Sequence, residues 1–231
     1  MARRGVILLG SPGSGKGTQS QMLIEESLAF HISTGDLLRY EIHHNTDIGL
    51  MVKTGMASGS LVDDETVRAV LDRGLKRGFD SGAEMIVFDG YPRTTNQVVA
   101  FEKLCQENDI KQIVVVLLNI TLDDLEDRIV NRVRCNTCGA VYNLKTKTTQ
   151  TEGVCDKCGS SDFEKRSDDN RASLEKRRDE YQEKSEPVIA LLRDKRYPFI
   201  ELNANLAPKA VFDKIKQGLG EIFLDQDGLN R

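Results

Sequence analysis

The chain has no tryptophan, only five prolines and an aromatic content of 6%. It also lacks a basic excess: 32 lysines and arginines stand against 36 acids, a net charge of −4. Few aromatics and an acidic balance, with a pI near 5.5, exclude a nucleic-acid binder that stacks bases along a broad basic surface. No apolar run approaches the ~20 residues of a membrane span. The short run after Arg3-Arg4 breaks at Ser11-Pro12, too early for a secretory leader. These absences lead us to expect a cytoplasmic protein with neither membrane nor nucleic acid as partner. There is no internal repeat and no low-complexity tract. A length of 231 residues, 39% of them hydrophobic and 29% charged, suits one well-buried core carrying inserted smaller units.

The strongest local signal follows the apolar run Val6-Ile7-Leu8-Leu9. Gly10-Ser11-Pro12-Gly13-Ser14-Gly15-Lys16-Gly17-Thr18 fits Gly-x-x-x-x-Gly-Lys and opens a helical pattern through Leu28. A strand, a glycine-rich turn and a helix N-terminus together present unpaired amides and a positive dipole end to a polyphosphate. Glycines let the backbone approach phosphate oxygens, and Lys16 brings an ammonium to the terminal phosphates. Gly17 occupies the position where a hydroxyl normally ligates magnesium, with Thr18 one place later. That departure favours enzymes whose magnesium is held by phosphates, water and a distant carboxylate over GTPases and motor ATPases.

Four of the five cysteines form two pairs, Cys135-x-x-Cys138 and Cys155-x-x-Cys158, with sixteen residues between the pairs. Two such knuckles can place four thiolates around one zinc ion, and iron suits the same donor set. A disulfide framework is unexpected without an export signal. Gly139 and Gly159 follow the knuckles and suit tight turns. Cys105, beside Leu104 in a helical pattern, reads as a small core residue.

Continuous apolar runs at Val6 to Leu9, Met85 to Phe88, Ile113 to Leu118 and Phe199 to Leu202 alternate with helical patterns. The fold class is therefore α/β, with a doubly wound parallel sheet covered on both faces and of the P-loop NTPase kind. Helices are expected at Gly17 to Leu28, Asp64 to Arg77, Asn96 to Asn108, Leu122 to Arg132, Asp169 to Arg193 and Pro208 to Phe223. Thr121 and the acids Asp168-Asp169 mark two helix starts. Residues 33–62 form a mostly helical excursion, and residues 131–169, too short and polar to bury a core, look like a small metal-folded unit.

Phosphoryl transfer needs two phosphates held in line, charge neutralised on the transferred oxygens, and water excluded. Arg39, Arg93, Arg128, Arg132, Arg166 and Arg177 lie beside strand ends or at the hinges of the two excursions, and their forks suit bidentate phosphate binding. Each one alone reads more readily as a solvated surface group; it is their company at strand ends and hinges that points to a site.

With these residues in view, residues 5 to 220 resemble adenylate kinase in its long-lid form with a four-cysteine zinc site. The motifs that carry the likeness are the glycine-rich loop, the stretch Ile32-Ser33-Thr34-Gly35-Asp36-Leu37-Leu38-Arg39, Gly59-Ser60-Leu61-Val62, and Phe88-Asp89-Gly90-Tyr91-Pro92-Arg93 with Gln97. Asp127 to Arg132, the paired cysteines, and Arg166-Ser167-Asp168-Asp169 with Arg177 complete it. The resemblance implies a core of residues 1–32, 63–130 and 170–231, a monophosphate-binding unit at 33–62 and a zinc lid at 131–169. It implies reversible phosphoryl transfer from ATP to AMP giving two ADP, with magnesium as cofactor, a structural zinc and a monomeric chain serving adenine-nucleotide homeostasis.

Carried over position by position, Gly13, Ser14, Gly15, Lys16, Gly17 and Thr18 would wrap the ATP phosphates. Arg128 and Arg132 would reach the ATP side, and Val141 and Tyr142 would flank its adenine. Thr34 and Gln97 would read the AMP adenine. Ser60, Leu61, Val62, Gly90, Tyr91 and Pro92 would line that pocket, with Arg39 and Arg93 on its phosphate. Arg166 and Arg177 would close on the transferred group, making Lys16, Arg93, Arg132, Arg166 and Arg177 the catalytic set. Asp89 would hold magnesium through water, and Asp168 and Asp169 would pair with lid arginines.

Tyr91 stands where the family commonly has Phe. Asn203-Ala204-Asn205-Leu206 replaces an Asp-Gly turn, so the backbone contact to the ATP adenine is not assigned, although Asn205 tolerates a left-handed conformation. His31, His43 and His44 match no catalytic position. The rival readings are a GTP-dependent AMP kinase, a uridylate/cytidylate kinase or another nucleoside monophosphate kinase, and, from another class, a zinc-ribbon nucleic-acid module fused to a nucleotide switch.

Overall fold

The computed structural model describes residues 3–27, 29–58, 60–145, 147–166 and 169–228. Leu28, Gly59, Ser167 and Asp168 of the sequence reading fall outside the described residues. Five parallel strands form the main sheet in the order β2-β3-β1-β4-β8: β1 Arg3–Leu9, β2 Ala29–Ser33, β3 Met85–Asp89, β4 Ile110–Asn119 and β8 Phe199–Asn203. Side chains alternate along each strand, so Ile7, Leu9, Phe88, Val115 and Leu117 enter one apolar cluster while Val6, Leu8, Val87, Val114 and Val116 enter the other. Burial on both faces is why the inner strands β3, β1 and β4 read as apolar runs.

Helices α4 (Asp64–Asp80), α5 (Thr95–Glu107) and α8 (Glu186–Asp194) close the first face. Helices α1 (Lys16–Glu26) and α9 (Pro208–Gly228) close the second. Between β2 and α4 lie α2 (Thr34–His43) and α3 (Asp47–Ala57), whose Leu38 and Val52 pack with Val70 of α4. Ser33 caps α2 and Thr46 caps α3, each side chain accepting from a backbone amide of the first turn.

After α6 (Leu122–Val130) comes a small antiparallel sheet, β6-β5-β7, built from β5 Arg132–Cys135, β6 Val141–Asn143 and β7 Phe163–Glu164. Its apolar cluster consists of Cys135, Tyr142 and Cys155, with Val133, Cys138, Ala140 and Phe163 against them.

Three expectations are corrected. The helix expected over 169–193 is interrupted: α7 (Arg171–Glu180) runs into a π-helical turn, Tyr181–Ser185, before α8. Pro187 sits in the first turn of α8; it has no amide to donate backward, which breaks the ladder at that point. The start of α7 is marked by Asn170, whose side chain accepts from Ser173 N at 2.9 Å, and not by the preceding acids; Asp169 turns inward to an arginine. Asn205 is absent from the described non-glycine residues with positive φ; its amide donates to Asn203 Oδ1 at 2.9 Å, an Asx turn.

Candidate functional site

All four loops that matter leave the same edge of the main sheet. The segment after β1 arrives at α1 through Gly13 and Gly15, with φ of 84° and 96°. A Cβ at Gly13 would lie 2.9 Å from Ile129 Cγ1, so both the conformation and the close approach demand glycine there. The segments after β2, β3 and β8 complete the edge, where ligands of open α/β sheets bind.

Here the chain encloses a cavity of about 580 Å³, within the usual size for a small-molecule site. Among the described residues eight cationic side chains line it: Lys16, Arg39, Arg93, Arg128, Arg132, Lys147, Arg166 and Arg177. Among the described lining residues, Asp36, Asp89 and Glu180 carry the opposite charge. A chain of net charge −4 thus concentrates positive charge in one hollow, where low-dielectric walls strengthen its pull on anions.

Lys16 Nζ folds back to donate to the carbonyls of Gly10 (2.7 Å) and Ser11 (3.0 Å). Burial is the main reason its pKa falls to about 8; Asp89 pulls it up, and Arg93, Arg177 and Arg132 push it down. Burial drives Asp89 the other way, but a hydrogen bond from His31 and the charge of Lys16 outweigh that and keep the carboxyl below its ordinary range. Arg166 is lowered to about 9, first by burial and then by the like charges of Arg39 and Arg132. It remains protonated at neutral pH.

Two carboxylates hold four of these guanidinium groups, those of Arg39, Arg132, Arg166 and Arg177. Asp169, whose side chain is fully enclosed, receives Arg132 Nε at 2.7 Å and a second bond from the same fork, with Arg177 Nη1 at 3.9 Å. Asp36 receives Arg39 at 2.7 Å and Arg166 at 3.0 Å. Some polar atoms at the cavity wall have no such partner. Ser14 Oγ and Arg166 Nε are buried without a hydrogen bond among the described residues, as expected of groups awaiting an anionic ligand.

The cavity also gathers Gly13, Ser14, Gly15, Gly17, Thr18, Ser60, Leu61, Gly90, Pro92, Val141 and Tyr142. Four expected residues stand behind the wall instead. Thr34 Oγ1 donates to Gly90 O at 2.9 Å. Gln97 accepts from Arg93 N at 2.7 Å and donates to Asp64 Oδ1 at 2.6 Å. Tyr91 is buried edge-on to Phe101, and Val62 packs against the α2–α4 cluster. Arg128 lines the far end and donates to Ala204 O at 2.9 Å.

The sequence reading gave no site role to His31, Asp36 or Tyr181, of which Asp36 and Tyr181 line the cavity. His31 Nε2 lies 3.4 Å from Asp89 Oδ2, a neighbour set by strand pairing: β2 and β3 run in register with Ser33 opposite Asp89. Asp36 stood within a quoted motif, three residues before Arg39 on one helix face.

The four paired cysteines converge. Their Sγ atoms all lie within 4.8 Å of one another, with Cys135–Cys158 at 3.6 Å and Cys138–Cys155 at 3.5 Å. Tetrahedral thiolates at a Zn–S distance of ~2.3 Å are roughly 3.8 Å apart, so the donor set has metal-binding geometry. In each knuckle the amide of the following glycine, 139 or 159, bonds back to the first cysteine's carbonyl. Tyr142 joins this cluster to the cavity, its hydroxyl 3.4 Å from Cys155 Sγ and accepting from Asp156 N at 2.9 Å.

The family model described as Adenylate kinase matches residues 8–197. The chain is 36% identical to an adenylate kinase of Elusimicrobium minutum over 92% of this chain and 96% of that protein. It is 39% identical to one of Paracoccus denitrificans over 87% of each, and 35% identical to one of a Thermoanaerobacter strain over 94% and 98%. A phosphate loop facing a hollow of converging guanidinium groups is what a phosphoryl-transfer enzyme requires, and with that likeness along nearly its whole length the chain belongs to the adenylate kinase family and is a nucleoside monophosphate kinase.

Proposed function

We propose that the chain catalyses the reversible, magnesium-dependent transfer of a phosphoryl group from ATP to AMP, giving two ADP. The convergence of Lys16 with Arg39, Arg93, Arg132, Arg166 and Arg177 on one cavity supports the reading above all else. Two anionic nucleotides can meet there end to end.

Residues 33–62 then form the monophosphate unit and 131–169 the lid, on a core made of the rest. On the donor side, Gly13 to Thr18 wrap the ATP phosphates, and Lys16 exchanges its two loop carbonyls for phosphate oxygens. Arg128, Val141 and Tyr142 face the donor base. On the acceptor side, Arg39 and Arg93 grip the AMP phosphate beside Ser60, Leu61, Gly90 and Pro92. Thr34 and Gln97 turn from Gly90 O and Asp64 to the adenine, with Tyr91 and Val62 backing them. Arg132, Arg166 and Arg177 neutralise the charge that spreads over the transferred oxygens. Seating the lid excludes water, which would otherwise compete for the phosphoryl group.

Asp89, kept ionised and 14% exposed beneath the open side of Gly17, fits a magnesium ion held through water. Held there through Asp89, the ion would supply positive charge to offset that of the nucleotide phosphates. The four-thiol cluster fits zinc, which folds the lid and takes no part in the chemistry.

The test is a coupled assay offering AMP, GMP, CMP and UMP in turn with ATP or GTP. ADP formation from AMP and ATP is expected; no turnover of AMP with either donor would overturn the reading.

A further inference from the structure

Three guanidinium groups share one oxygen of Asp36. Arg39 Nη2 donates to Oδ1 at 2.7 Å, Arg166 Nη2 at 3.0 Å and Arg134 Nη1 at 3.4 Å. Their combined charge outweighs the effect of burial and holds the carboxyl far below its usual range. Arg39 comes from the same helix, one turn on. Arg134 and Arg166 arrive from paired strands of the small sheet or their continuation, since Arg134 in β5 lies opposite Glu164 in β7.

The three differ in one respect. Arg39 and Arg166 both line the cavity, and Arg134 does not. Under the reading proposed above, on which this inference rests, Arg39 must turn its fork to the AMP phosphate and Arg166 to the transferred group. Asp36 would then be left as a buried carboxylate beside two phosphates, drawing Arg39 back and repelling the acceptor. Arg134 can remain. It directly precedes Cys135, and a Cβ at Gly139 would lie 3.3 Å from its Nη2, so the first cysteine knuckle packs beside it.

We propose that Arg134 is a positioning residue that holds Asp36 when the lid is seated, and so releases Arg39 to grip the AMP phosphate. The lid and the acceptor site are coupled through this carboxylate: seating the one prepares the other.

The experiment compares Arg134→Ala, Arg134→Lys, Asp36→Asn and the Arg134→Ala/Asp36→Asn double variant, with zinc per chain measured as a fold control. Arg134→Ala should raise KM for AMP roughly tenfold, the size of one charge-assisted hydrogen bond, and leave KM for ATP within about twofold. Arg134→Lys should keep KM for AMP close to that of the wild type. In the Asp36→Asn background, which alters α2 and not the zinc sheet, Arg134→Ala should add less than about twofold, because the pair acts as a unit. The inference is overturned if KM for AMP does not move, if the two KM values rise together, or if Arg134→Ala has its full effect without Asp36. Failure of the wild-type protein to phosphorylate AMP would instead remove the functional reading itself.

Discussion

The two sheets of this molecule are held together by different means. The five-stranded sheet buries large side chains on both faces, with Val6, Ile7, Leu8, Ile86, Val87 and Phe88 wholly enclosed. The three-stranded sheet has one small cluster, in which Cys135, Tyr142 and Cys155 are the buried members and four sulfurs converge. The first sheet fixes Lys16 and Asp89 at its strand ends by packing. The second sheet and its flanks carry Arg132, Arg134 and Arg166, and their placement depends on a unit too small to fold on apolar burial alone. One wall of the cavity is therefore rigid by construction, and the other can be loosened without unfolding the protein.

The comparison can be broken from the packed side first. Phe88, fully buried with its ring 5.1 Å from that of Phe101, should cost about 3–5 kcal/mol on replacement by alanine. Chemical denaturation should show the whole chain destabilised, small sheet included. Next comes the chemistry held at that edge. Lys16→Ala should lower kcat by roughly 10²–10³, the usual loss for one preorganised charge-stabilising donor, with the unfolding midpoint nearly unchanged. A near-normal rate would remove that lysine from the mechanism.

From the other side, Cys135→Ser should abolish stoichiometric zinc binding and lower the temperature at which the small sheet melts. The main sheet should stay folded, with Lys16 still able to bind ATP phosphates. Unchanged zinc content and thermal stability would defeat this claim. The smallest effect expected is on pH dependence. Only the protonated form of Lys16 attracts phosphate, and its pKa in the free enzyme is lowered to about 8. As pH rises through that value kcat/KM for ATP should fall, whereas an ordinary lysine would sustain it to about 10.

Much of this arrangement was legible in the sequence for the same reason that it is stable. Strands β1, β3 and β4 stand out because burial on both faces demands continuous apolar runs; β8, at one sheet edge, stands out through Phe199, Ile200 and Leu202 although Glu201 between them is exposed. Strand β2, Ala29-Phe30-His31-Ile32-Ser33, lies at the sheet edge, where partial exposure allows mixed residues and hides the signal. The phosphate loop was readable because its chemistry imposes a fixed local spacing, whereas the arginines, scattered from 39 to 177, were picked out by the motifs around them. Asp36, Arg134 and His31 act through partners distant in sequence. Arg134 and Arg166 lie 98 and 130 residues beyond Asp36, and no local pattern encodes such a meeting. The break before α8 was signalled by Pro187, but the acids before α7 misled: Asp169 serves Arg132, and the cap is its neighbour Asn170.

The central claim is that one hollow holds two nucleotides with their phosphates in line, and the most direct measurement uses ADP and magnesium alone. Because ADP must then occupy both sides of the cavity, the account predicts its loss with ATP and AMP appearing in equal amounts. ADP left intact, or converted to AMP and free phosphate without ATP, would contradict it.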